Sequence, residues 1–226
     1  MALSSRSFAV LGLAAAVALG GGTRFLLAQE ESTEIKPEDL FASSRAAFDK
    51  KQYGKALADL HLLVGAVSKL RIEQIKAVLP AAPAGWKAED PTGESAGGIF
   101  VMAGLTVKRE YSKGAPAGEG GDESGEGGPR VSLEVVSDSP MIGMIAPMLS
   151  NPAMLQGQEG VSVLNLKGRR ALLEWRKESK SGSLKVLLAG NTTLLTLEGR
   201  DVQKADLSDV FGKALDVEKL EKVLGE

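Results

Sequence analysis

Cysteine is absent from the 226 residues. That excludes disulfides, thiolate chemistry, iron–sulfur clusters and lipid attachment through cysteine, while leaving the redox compartment open. Histidine occurs once, as His61, between Leu60 and Leu62. Imidazole catalysis and metal binding both need a positioned partner, and the surrounding helical pattern offers no acidic or sulfur side chain at ligand spacing, so a packing histidine is expected. An excess of charge of either sign is also missing. The 27 basic and 29 acidic side chains leave a net charge of −2, with no electrostatic footprint for nucleic acid or anionic lipid. Neither G-x-G-x-x-G nor G-x-x-x-x-G-K-[ST] stands between a strand and a helix, so no nucleotide fingerprint is present. No catalytic, metal or cofactor residue is assigned.

Long apolar runs are lacking too. The longest candidate, Phe8 to Leu19, has 12 residues, against the ~20 that a membrane-spanning helix needs. It follows Arg6 and precedes the break Gly20–Gly22 and the segment Thr23 to Ala28, which is the pattern of an export signal. Residues 1–28 are therefore expected to be a signal peptide cleaved after Ala28. The alternative is an uncleaved N-terminal anchor, because the apolar stretch resumes after Arg24. Both place the bulk of the chain outside the cytoplasm, periplasmic or secreted, with membrane contact only through residues 1–28 if they are retained. Residues 29–36 form a polar tether.

What the chain does contain is organised around Val161 to Glu198. Period-two alternation there predicts four strands, Val161–Leu166, Arg169–Lys177, Ser183–Ala189 and Thr192–Glu198. Turns at Lys180-Ser181-Gly182 and Gly190-Asn191 make them a meander, since Gly and Asn accept positive φ. Earlier strands are expected around Trp86, within Ile99–Lys113 and over Arg130–Asp138. Between the last two lies Gly114 to Pro129, Gly-rich and acidic, expected to be disordered because it has nothing apolar to offset the entropy of ordering. Its Glu119, Asp122, Glu123 and Glu126 echo calcium loops, but a single irregular run lacks the repetition or rigid flanks such loops use.

Helices bracket this sheet. Pro37-Glu38-Asp39 opens one, with proline and acids in the first turn, and a second runs from about Gln52 to about Leu79 with Leu57, Leu60, Val64 and Val67 on one face. Residues 37–80 read as an antiparallel helical hairpin. Its Ser44, Ala47, Phe48, Tyr53, Ala56 and Leu60 resemble the helix crossing of a tetratricopeptide repeat, where small residues permit close packing. One copy cannot build a solenoid, so no peptide groove is carried over. The composition shift at Pro80–Gly98 is taken as the boundary to a second domain, 85–226. A third helix, Met141–Leu149, carries Met141, Met144 and Met148 at i, i+3 and i+7. Thioethers so spaced are a Cu(I) candidate, although core packing is the reading adopted because no His or Cys assists, with an exposed adaptable interface as the remaining alternative. Ser179, Ser181 and Ser183 cluster with Lys180 and Lys185 in an expected turn, and no serine is singled out as a nucleophile. A terminal helix carries Leu207, Val210, Phe211 and Leu215, and Asp216 caps a last one.

The fold class is thus α+β, an N-terminal helical hairpin followed by an antiparallel sheet flanked by helices. From Gly85 onward the order of a Gly-Trp opening strand, a Val-Ser-Leu-Glu strand, a helical crossover, a meander and a closing helix resembles the Mog1/PsbP-like sandwich proteins. The resemblance rests on element order, carries no site residues, and implies an accessory or binding role. We expect a non-enzymatic envelope accessory or interaction module with a protein partner. The alternatives are a carrier of a small apolar or amphipathic ligand between sheet and Met helix, and a hydrolase with an unrecognised site. Leu164, Leu166, Leu172, Leu187 and Leu194 are expected to share one sheet face, opposite Val163, Leu173, Trp175, Val186 and Leu195. The terminal and Met helices should cover the Trp175 face, leaving the five leucines for the hairpin or a partner.

Overall fold

Gly168, Gly190 and Asn191 at turn positions, all at positive φ, and alternation between the turns give the sheet its outline. The turn expected at Lys180-Ser181-Gly182 falls instead at 177–180, and Ser181 and Gly182 open the next strand. The computed structural model describes residues 36–95, 104–113, 128–151 and 159–225. Helices α1 (Pro37–Asp49) and α2 (Tyr53–Lys76) lead into strands β1 (Lys87–Ala88), β2 (Thr92–Ser95), β3 (Leu105–Ser112) and β4 (Arg130–Ser137). Helix α3 (Pro140–Ser150) then precedes β5 (Val161–Leu166), β6 (Arg169–Arg176), β7 (Ser181–Leu188) and β8 (Thr193–Arg200). A π-helical stretch, Asp206–Phe211, runs into the short α4 (Gly212–Ala214), and α5 (Val217–Leu224) closes the described chain. Asp216 caps α5 as expected, its carboxylate accepting from the Lys219 amide at 3.1 Å.

The strands form one antiparallel sheet in the order β1-β3-β4-β8-β7-β6-β5, with β2 also on β3. The fold is α+β. Its inner face, built from Val107, Leu133, Leu173, Leu184, Val186, Leu195 and Leu197, is buried under Leu207, Phe211, Leu215 and Leu220 of the C-terminal helices and under Ile72 and Ile75 from the last turns of α2. Phe211 wedges edge-on between Trp86 and Tyr111, each 4.9 Å away.

Three expectations need correction. First, Pro80–Gly98 is not a boundary between domains: the chain from Ile35 onward is one compact unit, and this stretch delivers buried Trp86 and the unforeseen β2 to the core that α2 enters. Gly93 of β2 lies so close to α2 that an added Cβ would stand 2.2 Å from Ile72 Cγ2. Second, β5 is offset by one residue from the expected register. The two-residue turn Lys167-Gly168, both at positive φ, pairs Leu166 with Arg169 and Leu164 with Ala171. Leu164 and Leu166 therefore join the inner face, and Val163 the outer one.

Third, α3 covers the face assigned to the hairpin. The chain must cross from β4 to the far edge, and α3 does so over the outer face, where Leu149 and Leu172 form a small core with Ile145, Met148, Leu187 and Leu194. Only one end of that face is apolar. The other end is open and polar, with Glu174, Lys185, Glu198 and Arg200 lining hollows. The insertion 114–129, the stretch 96–103 and residues 1–35 lie outside the described residues apart from Gly128 and Pro129.

Candidate interaction surface

Helix α2 is 24 residues long, about 36 Å at 1.5 Å per residue, and only its C-terminal turns belong to the core. Ile72 and Ile75 are buried there. Arg71 fastens that end: its guanidinium bonds Asp138, the Ser137 hydroxyl at 3.2 Å and the Leu224 carbonyl at 3.2 Å. Thr193 donates to Ser137 at 2.9 Å inside the sheet, so one polar chain joins α2, β4, β8 and α5.

Toward its N-terminus the helix packs on α1. Where α1 and α2 pack together, Leu40, Ser44 and Ala47 of α1 and Ala56 of α2 are buried, small residues among them as the sequence suggests. A polar clasp locks the pair: Ser43 donates to Asp59 at 2.7 Å, and Lys55 donates to Asp59 and to Ser43, both at 2.9 Å. The Ser43 hydroxyl, then Lys55, hold the Asp59 carboxyl below its usual range.

Much of the remaining apolar surface of the hairpin faces water. Tyr53, Leu57, Leu60, Val64 and Val67 recur at i, i+4, i+7, i+11 and i+14, one continuous stripe, and they are between 40 and 56% exposed. The stripe points to the side that, further along α2, carries Arg71 and Ile75 into the core. Phe48 extends it onto α1, its ring 5.7 Å from that of Tyr53, and Phe41 follows seven residues earlier. Leu62 and Leu70 are exposed on other sides of α2. An apolar stripe that is half core and half solvent is the feature to explain, since isolated exposed leucines are ordinary and contiguous ones are not.

The expected interface leucines do not form this surface. Leu164 and Leu166 pack in the main core, and Leu172, Leu187 and Leu194 lie beneath α3. On α3 the face turned to the sheet is Ile142, Ile145 and Leu149, so Met141 and Met144 stand in solvent at 67 and 82% exposure while Met148 alone reaches the Leu172 cluster. The packing-stripe reading of the three methionines is wrong for two of them. His61 is exposed on α2 rather than packed.

Candidate chemistry elsewhere stays bare. Glu174 accepts from Ser183 at 3.2 Å and from Lys185 at 3.1 Å, a hydroxyl and an ammonium on one carboxylate with no imidazole to relay a proton. Ser179 and Ser181 bond each other at 2.7 Å in the open. One string overlooked in the sequence, Gly93-Glu94-Ser95-Ala96-Gly97, spells the nucleophile-elbow pattern. That motif requires a strand-to-helix turn, whereas Ser95 sits in β2 opposite Leu105 of β3. Among the described residues no group of His, Asp and Glu could hold a metal ion, and no helix is long and apolar enough to cross a membrane. No family model, curated protein or solved structure matches the chain.

Proposed function

We propose that this is a non-enzymatic interaction module, exported by residues 1–28, whose helical hairpin docks a protein partner in the cell envelope. One observation carries the reading: the uninterrupted apolar stripe Tyr53, Leu57, Leu60, Val64 and Val67, extended by Phe48 and Phe41. Full burial from water is worth about 1.5–3 kcal/mol for an apolar side chain of this size, and the stripe residues are about half exposed, so docking adds roughly half of that at each of several anchors. The polar clasp at Asp59 and the Arg71 network support the same reading, because they hold the two helices and their base rigid while the stripe stays open. A preformed surface spares a partner the cost of ordering it. The accessory and binding role implied by the Mog1/PsbP-like element order points the same way.

The carrier reading finds less support. The space between α3 and the sheet is filled by Leu149, Leu172 and their neighbours, and the hollows on the open sheet face are lined by charged groups rather than by the apolar walls a lipid-like ligand needs. The test is the size of the native assembly. In envelope extracts the wild-type chain should sediment in a complex larger than itself, and the Leu57→Glu/Val64→Glu variant should sediment as the free chain with an unchanged melting temperature. Equal sedimentation of both would refute the proposal.

A further inference from the structure

The open half of the outer sheet face carries its charges in rows, and the strand register sets them. Ser112 lies opposite Arg130, and Arg130 opposite Arg200. Across β7, Ser181 pairs with Arg176, and the Gly182–Gly199 pair places Ser181 in line with Arg200. Three guanidinium groups thus share one row over four strands, about 14 Å at roughly 4.8 Å per strand. One row inward run Glu110, Ser132, Glu198, Ser183 and Glu174. Two hollows of about 320 and 410 Å³ lie along these rows and share Glu198 and Arg200.

Two of the three carboxylates beside the arginines are turned to lysines. Glu110 pairs with Lys108 at 2.6 Å and Glu174 with Lys185 at 3.1 Å. Glu110 first, with Glu134 and Glu198 adding attraction, holds the Lys108 ammonium above its usual range. Among the described residues Arg130, Arg176 and Arg200 have no ion pair, and Arg130 directly faces Arg200. Like charges directly opposite on neighbouring strands repel, and here no ion pair offsets the repulsion.

We propose that Arg130 and Arg200 form a binding site for an oxyanion, a phosphate or carboxylate group held between two guanidinium forks, with Arg176 engaging a second anionic group about 10 Å along the row. Guanidinium presents paired donors that match both oxyanions, and the match adds geometric selectivity to the charge. The glutamate row behind sets the orientation: a ligand must keep its anionic groups on the arginine row. That row disfavours nucleic acid lying across the sheet and selects a short ligand with a few anionic groups. The site is independent of the hairpin surface.

Isothermal titration of the purified full chain at low salt, with pyrophosphate and separately with citrate, distinguishes the two oxyanions. The tighter of the two names the group recognised. Arg130→Gln and Arg200→Gln should each weaken it about tenfold or more, Arg200→Lys should fail to restore it, and Lys219→Gln on α5 should leave it unchanged. All three residues are exposed, so melting temperatures report that the variants fold. Binding of neither anion, or undiminished binding by the Arg130→Gln/Arg200→Gln double variant, overturns the proposal.

Discussion

Met144 stands 82% exposed on the outer flank of α3, so Met144→Ala should change stability by less than about 0.5 kcal/mol. A packed methionine would cost roughly 2–4 kcal/mol, and thermal melts separate the two. Phe211→Ala, by contrast, removes the ring wedged between Trp86 and Tyr111 and should cost about 3–5 kcal/mol. Tyr111 adds a pH dependence. Burial pushes its phenol up to about 12, with Arg109 opposing. The fold therefore holds the neutral phenol, whereas the unfolded chain ionises it from about pH 10. Between those values the unfolded state binds fewer protons, so this group's contribution is intact below pH 10 and is lost as pH rises toward 12. Urea melts from pH 8 to 11.5 should show a steeper decline for wild type than for Tyr111→Phe. At pH 8 the variant should be weaker by about 1 kcal/mol for the lost bond to the Pro80 carbonyl, which the hydroxyl makes at 2.7 Å.

Elements differ in how much of them the sequence disclosed. The four-strand meander was legible because Leu173, Leu184, Val186, Leu195 and Leu197 fall at alternate positions, with Glu174, Ser183, Lys185, Thr196 and Glu198 among their neighbours. The orientation of α3 was not, because Pro140 to Leu149 contains no charged residue and an all-apolar helix gives no phase. Strand β2 was missed since Thr92-Gly93-Glu94-Ser95 has no apolar side chain; its place comes from pairing with β3 and from Gly93 against Ile72. The β5 register was readable in principle: a two-residue Lys167-Gly168 hairpin pairs its flanking residues, and applying that rule puts Leu164 opposite Ala171. At this scale Arg71 is the decisive contact for α2. Arg71→Met keeps the apolar stem but removes the bonds to Asp138, Ser137 and Leu224. Asp138 is partly exposed and the buried Ser137 keeps its bond from Thr193, so the expected loss is about 1–2 kcal/mol. Amide exchange should quicken at the base of α2 and at the end of α5 while β7 and β8 keep their protection; a uniform change across the sheet would contradict this role.

For the whole molecule, the α+β architecture followed from the order of periodic segments, and the hairpin's small-residue crossing followed from Ser44, Ala47 and Ala56. What periodicity could not give was the fate of the stripe on α2. Leu57, Val64 and Ile75 carry one pattern, and only the tertiary arrangement separates the buried end from the open one. The sheet core is complete without the upper hairpin, since Ile72 and Ile75 alone join it, and this is why the upper stripe is available to another molecule. A photo-crosslinking residue placed at Val64, with a control at exposed Lys219 on α5, tests this most directly in cells producing the full chain. The account predicts one discrete protein adduct from Val64, none from Lys219, and loss of the Val64 adduct when Leu57 is changed to glutamate. Absence of any adduct at Val64, or the same adducts from both positions, would contradict it.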